Sequence, residues 1–457
     1  MAEKRSTRML LVGVVLIALL AAGGAAYYYY FMIPKGPAIS EIKIGVIQTI
    51  SGEGAIFGQE SVYGFEIALD EINSGLHTGG KGGIQSLGGA KLVYSLEDAM
   101  GTVEGAKKAA ESIVARYDPT IIFGCYMSRM SLGMCEILDE RKVPAVVDAC
   151  SDYIFQTGLK SYHAYGLPSS VGSGLVVDFV ADIGKETGYT PKRVAICNED
   201  SIFGRYAGIG IKSKCIAKEW TIVHHEEYSR YVETVAPWLI KIFEKNPDVV
   251  FYNPYFADSI LIAKTNAELG FTKRVIAHVA TGGCGFSDVA SIQACGTAVE
   301  GYIMSGGGDA TIWNLDVWKI LKPLCDTFQK KYNRFPLTTV GGASKAAWMI
   351  KEALEISGKL HPDDPLSFES INDAYTKLRV GKCEGTVDEK SPLAMFQTKG
   401  WFGMGSWYGM AGNGVDISCV TPGATQVQNG VGKVIWPAIV ANAKYWWPIP
   451  GSTWKKA

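Results

Sequence analysis

The chain has none of the short motifs that mark the commonest catalytic and metal-binding sites. Its 457 residues contain no P-loop, no Gly-x-Ser-x-Gly nucleophile motif and no His-Glu-x-x-His zinc motif. No two cysteines have Cys-x-x-Cys spacing, which argues against zinc ribbons and thioredoxin-like redox chemistry. We therefore expect a protein that is not an enzyme and that needs no cofactor or metal.

A surplus of basic residues is also missing. The sequence has 44 Lys and Arg against 45 Asp and Glu, a net charge of -1. Because nucleic-acid binding usually requires a basic face, we expect no nucleic-acid partner. Hydrophobic residues make up 47% and charged residues 19%, as in a well-packed globular protein, and the length favours two or three domains.

Residues 9–33 contain no charged side chain, and this stretch is long enough to cross a hydrocarbon core of about 30 Å. Basic residues precede it, so the short tail is expected in the cytoplasm and the rest outside. We predict a transmembrane signal-anchor over 9–33, a linker over 34–40 and a cell-membrane location. A cleaved signal peptide is the open alternative. No cysteine ends the segment, which disfavours a lipoprotein anchor.

Ten cysteines lie beyond this segment. Their even number in an oxidising compartment permits disulfides without giving the connectivity. Buried free thiols are the equally open alternative. The cysteines are Cys125, Cys135, Cys150, Cys197, Cys215, Cys284, Cys295, Cys325, Cys383 and Cys419.

Short apolar strands alternate with helices after the linker. The first helix carries apolar residues at helical period and ends near Gly75, a plausible C-cap. A second series of strands and helices starts near residue 169, and an Asn-Gly pair at 413–414 predicts a late hairpin. Because buried strands joined by helices form parallel sheets, we predict an α/β fold with two Rossmann-like lobes. The predicted strands are 41–47, 92–96, 120–123, 143–147, 194–198, 221–225, 249–253 and 275–278.

Open parallel sheets bind ligands beyond the carboxyl ends of their strands. Residues 123–128 leave one strand and enter a helix, so backbone amides and the Ser128 hydroxyl could hold a carboxylate. Tyr126 lies in the same loop. Ser128 as a plain N-cap is the alternative. Phe57, after the first strand, could form an apolar wall or simply belong to the core.

The strand and glycine-bearing loop over 41–58, followed by a helix ending in Asp-Glu-Ile-Asn, resemble the start of type I periplasmic binding proteins. These are the branched-chain amino acid and amide receptors of ABC importers. Residues 198–204 look like the acidic-aromatic-glycine turn of that family, and 403–416 look like its late hairpin. The similarity runs over about 41–420, and its order and spacing make it specific.

The resemblance implies residue roles. In that family, the loop before the third helix gives a serine to the ligand carboxylate, and the next loop gives a small residue and a hydroxyl to the ammonium. These positions fall on Ser128, Ala149 and Ser151. The resemblance also places aromatic residues at the ligand, at Phe57, at Phe203, and at Tyr255 or Phe256.

One departure concerns the acid that the family places after the strand near residue 276. Residues 276–283 contain no carboxylate; His278 lies there and is kept as a candidate ligand contact. An ammonium buried without an anion would cost several kcal/mol. Either Asp148 or Asp200 takes this role, or the ligand lacks an ammonium and is an amide, a urea-like solute or a carboxylic acid.

The resemblance also implies lobes and partners. Lobe 1 is expected over 41–165 and 300–390, and lobe 2 over 166–299 and 391–450, with three hinge crossings near 165, 300 and 390. We expect an extracytoplasmic protein that closes on a small ligand and hands it to an ABC permease. A ligand-sensing ectodomain that acts through a separate signalling partner is the alternative.

The run His224-His225-Glu226-Glu227 has side chains that can bind metals. It falls on a predicted strand, where successive residues face opposite sides. We therefore interpret the run as a solvated strand end.

Overall fold

The computed structural model describes residues 39–281, 285–305, 321–378, 424–436, 438 and 441–455. The chain divides into two compact units, Met1–Ser40 and Glu41–Ala457, and every described helix and strand lies in the second. The predicted anchor over 9–33 and the predicted hairpin at 413–414 lie outside the described residues. Among the helices that are described, none is long and apolar enough to cross a membrane.

The first sheet has five parallel strands in the order β2-β1-β3-β4-β5. Its central strands are buried along their whole length because helices cover both faces. The strands are β1 (Glu41–Gln48), β2 (Lys91–Asp98), β3 (Ile121–Gly124), β4 (Ala145–Val147) and β5 (Tyr162–Ala164).

Four helices connect these strands, and local capping explains their ends. The Thr102 hydroxyl accepts a hydrogen bond from the Gly105 amide at 2.9 Å and so begins the second helix. Gly75 ends the first helix at φ 74°, which confirms the predicted C-cap. The helices are α1 (Ala55–Ser74), α2 (Val103–Tyr117), α3 (Ser128–Glu140) and α4 (Asp152–Gln156).

As far as the structure describes the chain, the second sheet has seven strands in the order β12-β11-β10-β9-β8-β6-β7. The prediction of an α/β fold with parallel sheets is confirmed for most of both sheets, but β10, β11 and β12 pair antiparallel. The strands are β6 (Arg193–Glu199), β7 (Thr221–Tyr228), β8 (Val249–Asn253), β9 (Ala277–Ala280), β10 (Ile303–Ser305), β11 (Ala424–Gln428) and β12 (Val431–Trp436).

Within the described residues, five helices accompany the second sheet and three later ones return to the first. At the return, a β-carbon on Gly64 would lie only 2.3 Å from the Val340 carbonyl oxygen, so glycine is needed where these two helices cross. The helices are α5 (Ser169–Thr187), α6 (Ile202–Ala217), α7 (Ala236–Glu244), α8 (Phe256–Glu268), α9 (Val289–Cys295), α10 (Leu321–Tyr332), α11 (Thr338–Leu360) and α12 (Phe368–Lys377). Short 3₁₀ turns occur at Gln85–Leu87 and Gly296–Val299.

The cysteines that the structure describes are all free thiols, most of them buried. Burial raises the pKa of the Cys150 and Cys215 thiols to about 12. A thiol held in its neutral form is a poor nucleophile and a poor metal ligand. For this part of the chain the free-thiol alternative therefore holds.

Candidate functional site

Two aromatic side chains meet where the first sheet ends. Phe57 lies in the first turn of α1, just after β1, and Tyr126 lies between β3 and α3. Their rings stack with centroids 5.4 Å apart and an interplanar angle of 25°. Because the carboxyl ends of parallel strands share one edge of a sheet, two loops distant in sequence supply one apolar surface.

Three aromatic residues that follow strands of the second sheet complete this surface. Phe256 meets the Phe57 ring edge-on at 5.3 Å. Tyr255 lies 6.5 Å from Tyr126 and 5.5 Å from Phe203, between ring centroids. We call these five residues the aromatic cluster. It contains every aromatic residue that the sequence had placed at the ligand, and it draws on loops from both sheets.

Ser128 opens α3 beside this cluster and is buried. The N-cap is Met127, which makes no capping hydrogen bond through its side chain, so Ser128 does not act as the N-cap. Within the described residues its hydroxyl has no hydrogen-bond partner. The first two amides of the helix also lack intrahelical acceptors, whereas the Met130 amide already donates to the Met127 carbonyl at 3.0 Å. Together with the helix dipole, these donors suit an anionic group.

Ala149 and Ser151 lie at the same edge of the first sheet, and polar atoms of both already make hydrogen bonds within the protein. The Ala149 carbonyl accepts a hydrogen bond from the Tyr162 hydroxyl at 2.8 Å. The Ser151 hydroxyl donates to the Ile202 carbonyl at 2.7 Å and accepts from the Tyr153 amide. Ser151 therefore caps α4 and ties the loop after β4 to α6, and the proton of its hydroxyl is already donated.

His278 does not join the other candidates. Its Nδ1 lies 3.0 Å from the Tyr252 hydroxyl, its Nε2 lies 3.0 Å from the Thr272 carbonyl, and its ring stacks on Tyr302 at 4.3 Å. Burial lowers its pKa to about 3, so the ring stays neutral. It is a satisfied core histidine because β9 is covered on both faces.

The sequence analysis did not predict an ion pair that links loops of the two sheets. Glu53, in the loop after β1, forms an ion pair with Arg230, which follows β7. Its carboxylate also accepts hydrogen bonds from Arg129 at 2.6 Å and from the Tyr231 hydroxyl at 3.2 Å. We call these four residues the cross-sheet ion cluster. Arg230 and Glu53 both follow strand ends, so the strand-end rule could have found them.

Arg230 also joins the ion cluster to the aromatic cluster. Its side chain is only 5% exposed, and its guanidinium carbon lies 4.5 Å from the centroid of the Tyr255 ring. A guanidinium over an aromatic face is attracted by the ring quadrupole. The contacts of Arg230 therefore hold the loops of the two sheets against each other at the aromatic cluster.

The two histidines of β7 do not form a metal site. His224 lies 2.9 Å from Glu226 on one face of the strand, and His225 contacts Asn198 on the other. Among the described residues no group of three or more acidic, histidine or cysteine side chains is placed to hold a metal ion. The alternating directions agree with the interpretation of this run as a strand end.

Comparison with known proteins points to one family. The family described as periplasmic binding protein matches residues 41–381. Leu/Ile/Val-binding protein homolog 8 of Brucella abortus is 25% identical over 343 residues, which cover 72% of this chain and 80% of that protein.

Solved structures share the fold. The leucine-binding protein LivK of Thermotoga maritima superposes with a TM-score of 0.66 at 20% identity, covering 86% of this chain and 97% of that one. LivJ of Streptococcus pneumoniae, solved with isoleucine, superposes with a TM-score of 0.65 at 18% identity, covering 87% of this chain and 100% of that one. A solute-binding protein of Rhodopseudomonas palustris, solved with 3,4-dihydroxybenzoic acid, superposes with a TM-score of 0.62 at 19% identity, covering 74% of this chain and 86% of that one.

Proposed function

Because the chain belongs to the periplasmic binding protein family, we propose that it is an extracytoplasmic solute-binding protein that delivers a small ligand to an ABC importer. The ligand class is an amino acid, an amide or a related carboxylic acid. The observation that carries this proposal is the aromatic cluster, which draws on loops from both sheets and lies beside the free Ser128 hydroxyl. A thermal-shift screen of leucine, isoleucine, valine, phenylalanine, their amides and their deaminated acids tests it. Failure of every compound to raise the melting temperature would contradict it.

The mechanism is closure of two lobes on the ligand. Lobe 1 is proposed as 41–165 with 300–390, and lobe 2 as 166–299 with 391–450, with hinge crossings near 165, 300 and 390. A ligand favours the closed arrangement only through contacts that the open one lacks. The aromatic cluster offers a surface for such contacts, because it joins residues that follow strands of different sheets. The ion cluster instead stabilises the closed arrangement directly, through an ion pair between residues that follow strands of different sheets.

A carboxylate on the ligand fits the free donors at the start of α3. The isoleucine and 3,4-dihydroxybenzoic acid found in two structural neighbours both carry one. The apolar part of the ligand would then lie against the aromatic cluster.

Residues 9–33 are proposed to hold the protein to the membrane. Alkaline carbonate extraction of the membrane fraction tests this anchor, and release of the chain into the supernatant would speak against it.

Replacing Ser128 with alanine is expected to weaken binding of a carboxylate ligand by about 1–3 kcal/mol, since one hydrogen bond to a charged group is lost. Isothermal titration calorimetry measures the change. Ser213→Ala removes an exposed hydroxyl from the middle of α6 and is the matched control. An unchanged affinity in the Ser128 variant would remove this residue from the site.

Replacing Glu53 with glutamine is expected to weaken ligand binding by about 1 kcal/mol, roughly fivefold in Kd. The reason is that the ion pair with Arg230 contributes to the closed arrangement, and any loss there is subtracted from the affinity. The difference from the wild type should shrink at high salt. Glu97→Gln is the control, because Glu97 pairs with Arg116 at 3.0 Å within the first half of the fold. Equal Kd values for the Glu53 variant and the wild type would show that the pair plays no part in closure.

A further inference from the structure

Arg230 lies where the aromatic cluster meets the start of α3. Its guanidinium carbon is 4.5 Å from the centroid of the Tyr255 ring, and its two terminal nitrogens, Nη1 and Nη2, are each 3.8 Å from the Met127 sulfur. Met127 directly precedes Ser128, whose buried hydroxyl has no hydrogen-bond partner within the described residues. The loop after β7 therefore brings a cation beside the donors that the proposed function assigns to a ligand carboxylate.

The cross-sheet ion cluster has more cationic donors than carboxylate acceptors. Glu53 is its one acid, and it pairs with the guanidiniums of both Arg129 and Arg230. The buried Nε of Arg129 has no hydrogen-bond partner in the described part of the chain. A guanidinium has five N–H donors, and the Met127 sulfur that Arg230 also contacts is a weak acceptor. Two guanidiniums that share one carboxylate therefore leave donors for a second anion.

Two buried acids near these groups already have donors of their own. The charge of Glu199 acts on Tyr255, and that of Asp258 is attracted by Arg230. Glu199 accepts hydrogen bonds from two backbone amides and a serine hydroxyl at the start of α6. Asp258 accepts from the Tyr228 hydroxyl at 2.7 Å, and burial raises its pKa to about 7, so it is only partly ionised at neutral pH. Neither carboxyl is free to hold an ammonium.

The acids named in the sequence analysis do not supply this partner either. Within the described residues, neither Asp148 nor Asp200 makes a hydrogen bond or an ion pair with the aromatic cluster or the ion cluster. Residues 276–283 contain no carboxylate. An ammonium buried here would have no free anionic partner, which is costly. In an amino acid it would also lie next to the carboxylate and so beside two guanidiniums, which disfavour another positive charge.

We propose that Arg230 binds the carboxylate of the ligand and that the ligand is an apolar carboxylic acid without an amino group. This inference rests on the proposed function and narrows its ligand class. The carboxylate is held between the guanidinium and the Ser128 end of α3, and the apolar skeleton lies against the aromatic cluster. Because Arg230 follows a strand of the second sheet and Ser128 follows a strand of the first, one carboxylate joins loops of both.

Calorimetry on the full-length chain in mild detergent at pH 7.5 tests the ligand class. The deaminated acids of phenylalanine and leucine, which have hydrogen in place of the ammonium, are each compared with the parent amino acid and with the neutral amide of the acid. The wild type is expected to bind each acid at least about 10-fold more tightly than either counterpart. The reason is that the amide lacks the negative charge and the amino acid adds a positive one.

Variants at Arg230 test the residue. Arg230→Gln is expected to lower the preference for the acid over its amide about 10-fold, whereas Arg230→Lys keeps the charge and should retain most of the preference. Arg205→Gln is the matched control, because Arg205 forms an exposed ion pair with Glu227 at 2.8 Å, and it should leave the ratio unchanged. Damage to folding or to closure would weaken acid and amide alike. The comparison in the wild type needs no variant and remains decisive if Arg230→Gln fails to fold.

The outcomes separate this proposal from the proposed function. If the wild type binds the amino acid or the amide as tightly as the acid, the proposal is overturned and the solute-binding function stands. The same holds if Arg230→Gln keeps the wild-type ratio, if Arg230→Lys loses as much of it as Arg230→Gln, or if Arg205→Gln loses it too. If the wild type binds none of these compounds and none of those in the thermal-shift screen, the proposed function fails as well.

Discussion

Replacing Phe57 with alanine is expected to lower the free energy of unfolding by about 3 kcal/mol. The side chain is 1% exposed and packs between Tyr126 and Phe256. Its carbonyl also accepts a hydrogen bond from the Thr339 hydroxyl, which ties α1 to α11. Truncation removes the ring and leaves a cavity that helices on two sides cannot fill.

The same substitution should weaken ligand binding in protein that is still folded, because the aromatic cluster loses its central ring. Urea denaturation gives the stability, and calorimetry at low temperature gives the affinity. Ile56→Ala is the matched control, since Ile56 precedes Phe57 on α1 and is 43% exposed. A loss of stability no larger than that of the control would mean that Phe57 is not part of the core.

Replacing Lys345 with methionine is expected to stabilise the protein by up to about 4 kcal/mol below pH 7. The ammonium is buried on α11, and within the described part of the chain its one hydrogen bond goes to the Tyr165 carbonyl. Desolvation lowers its pKa to about 7 from an ordinary value of 10.5. Methionine has a similar length and no charge to desolvate.

The direction of the pH effect follows from proton counts. Between pH 7 and 10.5 the unfolded chain keeps the Lys345 proton and the folded chain has lost it. Unfolding therefore takes up a proton, and the contribution of this residue to stability rises with pH across that range. Below pH 7 both states are charged and the full penalty remains. The advantage of the variant should be largest there and disappear near pH 10.5.

Urea denaturation of both proteins at a series of pH values measures this difference. Taking the difference is necessary because burial also raises the carboxyl pKa of Asp258 to about 7, which makes stability fall as pH rises from about 4 to 7 in both proteins. Lys359→Met, at an exposed position of α11, is the control and should leave the pH profile unchanged. A constant difference at all pH values would show that the pKa of Lys345 is the same in the folded and unfolded chains, so that burial does not lower it.

Regular elements with strong local signals could be predicted from the sequence. The strand Val249–Asn253 has the predicted bounds, because a short apolar run is a local signal. β5 and β10 have three residues each, too few to show a period. They exist because neighbouring strands offer hydrogen bonds.

The sequence analysis did not predict the antiparallel strands β11 and β12, although the dipeptide that marks their turn is present in the sequence. Their turn is Asn429-Gly430, with φ of 56° and 72°, the left-handed conformation that hairpin turns of this kind need. The chain contains a second Asn-Gly pair at 413–414, and the sequence analysis predicted the hairpin there. An identical dipeptide cannot show which pair has flanking strands long enough to join a sheet.

The sequence by itself determined the family, the order of the elements and the strand ends at which ligand contacts are expected. These depend on local patterns and on the rule that parallel strands gather their carboxyl ends at one edge. Only the tertiary structure decided which polar groups there are free. Ser128 has no partner within the described residues, Ser151 donates to Ile202, and His278 is satisfied inside the core. The reason is physical: a side chain is free or used according to what the fold brings against it, and those partners come from distant parts of the chain.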